Sequence, residues 1–226
     1  MGQGISEVLP FAIGIAISPI PIIAVILILF SSRARTNGPV FLLGWVLGVA
    51  IASGVIYAIA NAANAATDST ASDSVSWLKI GLGVLLLGVA RRNWAKRPKD
   101  GEPAPMPKWM ASVESITPVK TFGLALLLSV VNPKNLALIF GAAAGLAQVP
   151  DLSDSDAVVA LAVFVVLASV SVAGAVLYDL FGGAGAKAKL DELKSWMAIH
   201  NNAVMAVLFL VFGVALIAKG IGPLST

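Results

Sequence analysis

Long apolar runs alternate with short polar stretches along this chain. Six apolar runs stand out, at roughly 8–30, 40–63, 75–90, 122–147, 157–181 and 203–217. Most reach the ~20 residues that a helix needs to cross a hydrocarbon layer; the third and sixth are shorter. The runs are continuous, so the alternation of a β-barrel strand is missing. In lipid, a helix keeps every backbone group bonded within its own segment. The pattern predicts an all-α integral membrane protein with six transmembrane helices.

The polar stretches divide the runs into two sets of three. Residues 93–117, with Pro98, Pro103, Pro105 and Pro107 inside and Pro118 just beyond, read as an extended hydrophilic linker. The resulting plan is a first three-helix unit at 1–92, a linker at 93–120 and a second three-helix unit at 121–226. Residues 187–199 form a short amphipathic stretch, with Trp196 and Met197 placed for a membrane interface. His200, Asn201 and Asn202 precede the last apolar run and are expected to cap its helix.

An odd number of helices per half reverses the second half in the membrane, so two duplicated halves would form an inverted repeat. Matches occur in order along the chain. Pro19 and Pro133 are 114 residues apart, Tyr57 and Tyr178 are 121 apart, and Gly88-Val89-Ala90 and Gly213-Val214-Ala215 are 125 apart. The rising offsets are what loop insertions produce. The predicted fold is therefore a 3 + 3 inverted repeat with its first and fourth helices broken by proline. Gly44 and Gly48 add a small-xxx-small pair suited to close helix packing.

Charge orients this plan. Arg33 and Arg35 follow the first run; Arg91, Arg92, Lys96, Arg97, Lys99, Lys108 and Lys120 follow the third; Lys187, Lys189 and Lys194 follow the fifth. These segments share one side, which the positive-inside rule makes cytoplasmic. The other side has Lys79 and Lys219 at helix edges, with Glu7, Asp68, Asp73, Asp151, Asp154 and Asp156. Both termini are then expected outside the plasma (inner) membrane. The first Lys or Arg is Arg33, so the first run lacks the basic flank of a cleaved signal and is expected to be a permanent helix.

Composition agrees. Hydrophobic residues make up 58% and charged residues 12%, against about 25% charged in soluble domains. The basic residues lie in loops beside apolar runs rather than in a folded-surface patch, which argues against nucleic acid as a partner. There is no Cys and one His, so thiolate, iron–sulfur and multi-His metal sites are excluded. No Walker-type loop and no Ser/His/Asp set appears, so neither an enzyme nor a cofactor is expected.

Candidate chemistry concentrates at two places. Ser18-Pro19-Ile20-Pro21 lies in the first run, and two prolines so close should break the helix. Asn132-Pro133-Lys134-Asn135 lies at matching depth in the fourth run. Equivalent breaks in two halves point to a midplane binding site, with half-helix N-termini aimed at it. Lys134 has about a dozen apolar residues on each side, and a charge at that depth costs ~2.5–3.5 kcal/mol even on the mildest scale. It is expected to face a water-accessible cavity bordered by Ser18, Pro19, Asn132 and Lys134. Replacing it by Met should abolish transport while keeping or improving thermal stability. Asn132, Asn135 and Ser18 offer hydrogen bonds to a ligand or to carbonyls freed by the breaks. Asp179, near the end of the fifth run, is the candidate for proton coupling.

These two motifs resemble the lysine exporter superfamily. Over nearly the whole chain the closest likeness is to its actinobacterial GAP or Sap group, named for addressing glycopeptidolipids or sulfolipids to the cell envelope. The resemblance implies a 3 + 3 inverted repeat, an export role and operation beside large RND-type lipid transporters. It carries over Pro19, Pro21, Asn132, Pro133 and Lys134 as site residues. Ile20 stands where amino-acid exporters often have glycine, which separates this chain from them there.

The expected function is a secondary exporter or flippase-like carrier of an anionic envelope lipid or glycolipid. Two helix N-termini and Lys134 at the midplane suit a phosphate, sulfate or carboxylate. A proton-coupled exporter of a small solute such as an amino acid is one alternative. An accessory scaffold for a larger lipid transporter is the other. Membrane lipids are the expected surroundings, and self-association into a homo-oligomer stays open.

Overall fold

The structure, a computed structural model, describes residues 1–66, 70–98, 113 and 115–224. Among these residues every regular element is helical. The order is α1 (Gly2–Ala16), α2 (Pro19–Leu29), α3 (Ala34–Ala66), α4 (Thr70–Ala95), α5 (Pro118–Val130), α6 (Pro133–Leu146), α7 (Asp154–Phe181) and α8 (Ala186–Leu224), with a 3₁₀ turn at Gly183–Gly185 before α8. Most of the predicted linker, residues 99–112 and 114, lies outside the described residues.

Among the described residues, three helices are long and apolar enough to cross a membrane: Ala34–Ala63 within α3, α7, and Ala186–Gly222 within α8. Two bent pairs raise the number to five if each is one span: α1 with α2, bent by 52°, and α5 with α6, bent by 62°. The third apolar run forms α4, which falls outside this set. Lys79 and Arg91 bracket residues 80–90, about 16 Å of helix, roughly half the ~30 Å of a hydrocarbon core.

Both bends have the same local cause. Pro19 opens α2 and Pro133 opens α6. Proline disfavours helical backbone in the residue before it and cannot donate to the preceding turn. Ser18 accordingly adopts φ −71°, ψ 117°, and Asn132 adopts φ −65°, ψ 115°. Each chain leaves the helix for one extended residue and re-enters at proline, the residue best suited to a first helical position.

α4 packs along α8, α3 along α5 and α7, and α1 along α7 and α6. Glycine sets the closest of these approaches. A Cβ on Gly83 would lie 2.7 Å from the Gly213 carbonyl oxygen, and one on Gly213 would lie 2.9 Å from that of Gly83. Gly44 meets α5 as closely, since a Cβ there would lie 2.8 Å from the Phe122 carbonyl oxygen, and Gly48 packs against Ser129. Gly88, matched to Gly213 in the sequence repeat, faces open space instead. Gly83→Val or Gly213→Val should therefore cost about 1–3 kcal/mol by forcing backbones apart, a loss of roughly 2–12 °C in melting temperature. Gly88→Val should melt close to the parent, and equal losses at all three positions would contradict this packing.

The end of the chain corrects one expectation. α8 is a single helix of 39 residues, so the amphipathic stretch and the last apolar run are continuous. His200, Asn201 and Asn202 lie inside it and cap nothing. Residues 186–212 hold neither Gly nor Pro, so no helix-stopping signal separates the two parts. The polar side chains find other partners: Asn202 Nδ2 donates to the Lys96 carbonyl at 2.6 Å, and His200 stacks on Trp196 with ring centroids 4.6 Å apart. At the opposite end of the bundle, Glu7 pairs with Lys219 at 2.5 Å, buried Lys79 donates to Gln148, and the N-terminal ammonium pairs with Asp156 at 2.8 Å.

Candidate functional site

The two breaks meet inside the bundle. Lys134, the second residue of α6, is 1% exposed. Its Nζ donates to the Gly14 carbonyl at 2.7 Å and to the Ser18 hydroxyl. Ser18, also 1% exposed, donates its own hydroxyl hydrogen bond to Asn135 Oδ1 at 3.3 Å. Asn135 Nδ2 donates to the Leu128 carbonyl at 3.1 Å. Asn132 Oδ1 accepts the Lys134 backbone N–H at 3.0 Å, capping α6.

Each bond has a reason in the breaks. In an unbroken helix the Gly14 carbonyl would accept from the Ser18 N–H, but that N–H bonds Ile15 instead. Gly14 is left with a stranded acceptor in a dry place, and Lys134 fills it. Leu128 stands five residues before Pro133, as Gly14 stands five before Pro19, and Asn135 fills that acceptor. Two neighbouring side chains of α6 thus satisfy one stranded carbonyl in each break. The ammonium also sits at the C-terminal end of α1, where aligned carbonyls favour a cation. Among the described residues, no carboxylate is a partner of the ammonium.

Beside Lys134 runs a groove of about 420 Å³ between α4, α6 and α8. Leu82, Leu86 and Val89 of α4, Ala137 and Phe140 of α6, and Phe209 of α8 line it, and it reaches Pro133 and Lys134. Lys134 is the only polar side chain in its wall among the described residues. The volume lies within the ~300–1,000 Å³ typical of ligand sites.

The model for the Sap, sulfolipid-1-addressing protein family matches residues 8–222. The chain belongs to this family. No curated protein and no solved structure matches it. Family and apolar helices together fit a membrane-associated role in lipid export.

The Sap-family chain departs from the polar cavity expected at the midplane. Of Ser18, Pro19, Asn132 and Lys134, only Lys134 lines the groove. Ser18, Pro19 and Pro21 are buried in protein, and Asn132 is half-buried. The cause is the chain of bonds above, which uses the Ser18 hydroxyl internally as both acceptor and donor. Asn135 is fully buried and equally engaged. Pro133 is exposed and borders the groove. Asp179 is half-buried near the end of α7 and is not a partner of Lys134. Sequence reading missed the Gly14 carbonyl, which carries no side-chain signal. It also missed the α4 residues of the groove, which read only as part of an apolar run.

Proposed function

We propose that this protein is an exporter or flippase-like carrier of an anionic envelope lipid or glycolipid, with Lys134 as its anion-attracting group. The observation that carries this reading is that Lys134, whose buried ammonium has no carboxylate partner among the described residues, also lines an otherwise apolar groove. Such a groove suits an acyl chain, and the one cation suits an acidic head group. A basic amino acid would meet the wrong charge there, and the apolar wall of this groove offers a small polar solute little to bind. The full engagement of Lys134 with Gly14 and Ser18 favours a second reading, a scaffold assisting a larger lipid transporter of the RND type.

The reading includes an inverted repeat of residues 1–92 and 121–226, with α4 completing six spans. Support comes from the matched backbone at Ser18 and Asn132, the stranded carbonyls of Gly14 and Leu128, and the reciprocal packing of α1 on α7 and α5 on α3. Both termini are assigned outside the plasma membrane from the basic loops. Cysteine introduced at Ser155 should react with an impermeant thiol reagent in intact cells, and cysteine at Lys189 should not. The reverse pattern would overturn the orientation.

A photoreactive sulfated glycolipid tests the function itself. It should crosslink at Leu85 and Phe140 of the groove, and excess unlabelled anionic lipid should compete where phosphatidylcholine does not. Labelling spread evenly over exposed positions such as Val158 and Val166 would contradict a specific site.

A further inference from the structure

The α4–α8 pair carries a second groove, on the side away from Lys134. It has a volume of about 540 Å³ and is lined by Leu87, Ala90, Arg91 and Trp94 of α4 and by Ala206, Val207 and Leu210 of α8. Its origin is plain in the packing. Gly83 and Gly213 hold the two backbones together, and one to two turns further on the buried small residues Ala90 and Ala206 leave a hollow between them. The wall is apolar except at one end, where Arg91 enters it.

That end is strongly basic. Arg91, Arg92, Lys96 and Arg97 fall within seven residues of α4 and its exit, and all four are exposed. Trp94 is 51% exposed, and the Arg97 guanidinium lies 4.2 Å from its ring centroid. An amphipathic ring flanked by arginines belongs at the depth where head groups meet acyl chains. An apolar trough ending in a guanidinium matches one molecule: a tail lies along α4 and α8, and a phosphate takes the planar fork.

We propose that this groove is a binding site for one anionic phospholipid of the leaflet facing the basic end, separate from the Lys134 groove. Val207 and Leu210 hold the acyl chain, Trp94 marks the interface, and Arg91 binds the phosphate with Arg97 beside it. The site depends on neither transport nor Lys134, so it stands or falls apart from the function proposed above.

The purified full-length protein, in phosphatidylcholine nanodiscs with and without phosphatidylglycerol, provides the test. Native mass spectrometry should show one retained phosphatidylglycerol, and phosphatidylglycerol should raise the melting temperature where more phosphatidylcholine does not. Arg91→Gln should weaken retention by at least about fivefold, the effect of one cation at a charged surface. Val207→Trp, which fills the groove at an exposed position without changing charge, should do the same. Lys189→Gln, on the same basic side but away from the groove, should retain the lipid as the parent does. Equal retention of both lipids, an unaffected Val207→Trp variant, or equal losses in Arg91→Gln and Lys189→Gln would each overturn the site.

Discussion

Lys134→Met should abolish lipid export at undiminished protein levels and lower the melting temperature by a few degrees. Methionine keeps the length and apolar stem of the side chain and removes both donor and charge. The Gly14 carbonyl then stays stranded in a dry interior, and the Ser18 hydroxyl loses its donor. Two hydrogen bonds from a charged donor contribute about 3–6 kcal/mol together. Removing a midplane charge returns about 2.5–3.5 kcal/mol. The balance runs from about −0.5 to 3.5 kcal/mol, a loss over most of that range, so the variant folds and is expected to melt a few degrees lower. The expectation of kept or improved stability drawn from sequence weighed the charge without its partners. Lys134→Arg should also fail to export, because a planar fork cannot replace a compact ammonium between one carbonyl and one hydroxyl. Export assayed at matched expression, with thermal unfolding alongside, checks both outcomes; normal export by Lys134→Met would remove the residue from the mechanism.

Ala137→Phe should reduce export by an order of magnitude or more while leaving insertion intact. Ala137 lies one turn beyond Lys134 on α6, is 6% exposed and lines the groove. A phenyl ring there occupies the space assigned to an acyl chain next to the ammonium. It has the groove to enter, so the overpacking cost should stay near the lower end of ~1–3 kcal/mol. Leu85→Trp adds bulk from the opposite wall at a position 60% exposed, where folding is less at risk. Both substitutions should block export, with the loss greater for longer-chain lipids. Full export by both variants would show that the groove is no part of the path.

The parts of this fold that sequence made legible are those written in proline and charge. Pro19 and Pro133 announced two breaks because a missing N–H and a fixed φ act locally, whatever packs around them. Lys134 announced itself because an ionised group inside an apolar run is costly. Gly44 was legible for a similar reason: a Cβ added there would lie 2.8 Å from the Phe122 carbonyl oxygen, so only glycine fits. Other features depend on tertiary partners. Asn201 and Asn202 looked like caps, yet α8 runs through them because no Gly or Pro stops it there, and Asn202 bonds the Lys96 carbonyl just beyond α4 instead. The polar cavity expected around Ser18 was absorbed by Lys134 and Asn135, a match between two segments more than a hundred residues apart. The groove could not be read at all, because Leu82, Leu86 and Val89 look like any other residues of an apolar run until α6 and α8 stand beside them.

Lipid transfer in a defined membrane tests the central claim most directly. Purified protein is reconstituted into phosphatidylcholine vesicles carrying a fluorescent sulfated glycolipid in one leaflet, and movement to the other leaflet is followed by chemical quenching. The parent should move the sulfated lipid faster than protein-free vesicles do and leave a zwitterionic analogue behind, and Lys134→Met should match the empty vesicles. Transfer no faster than in empty vesicles for the parent, or equal transfer by the parent and Lys134→Met, would contradict the account.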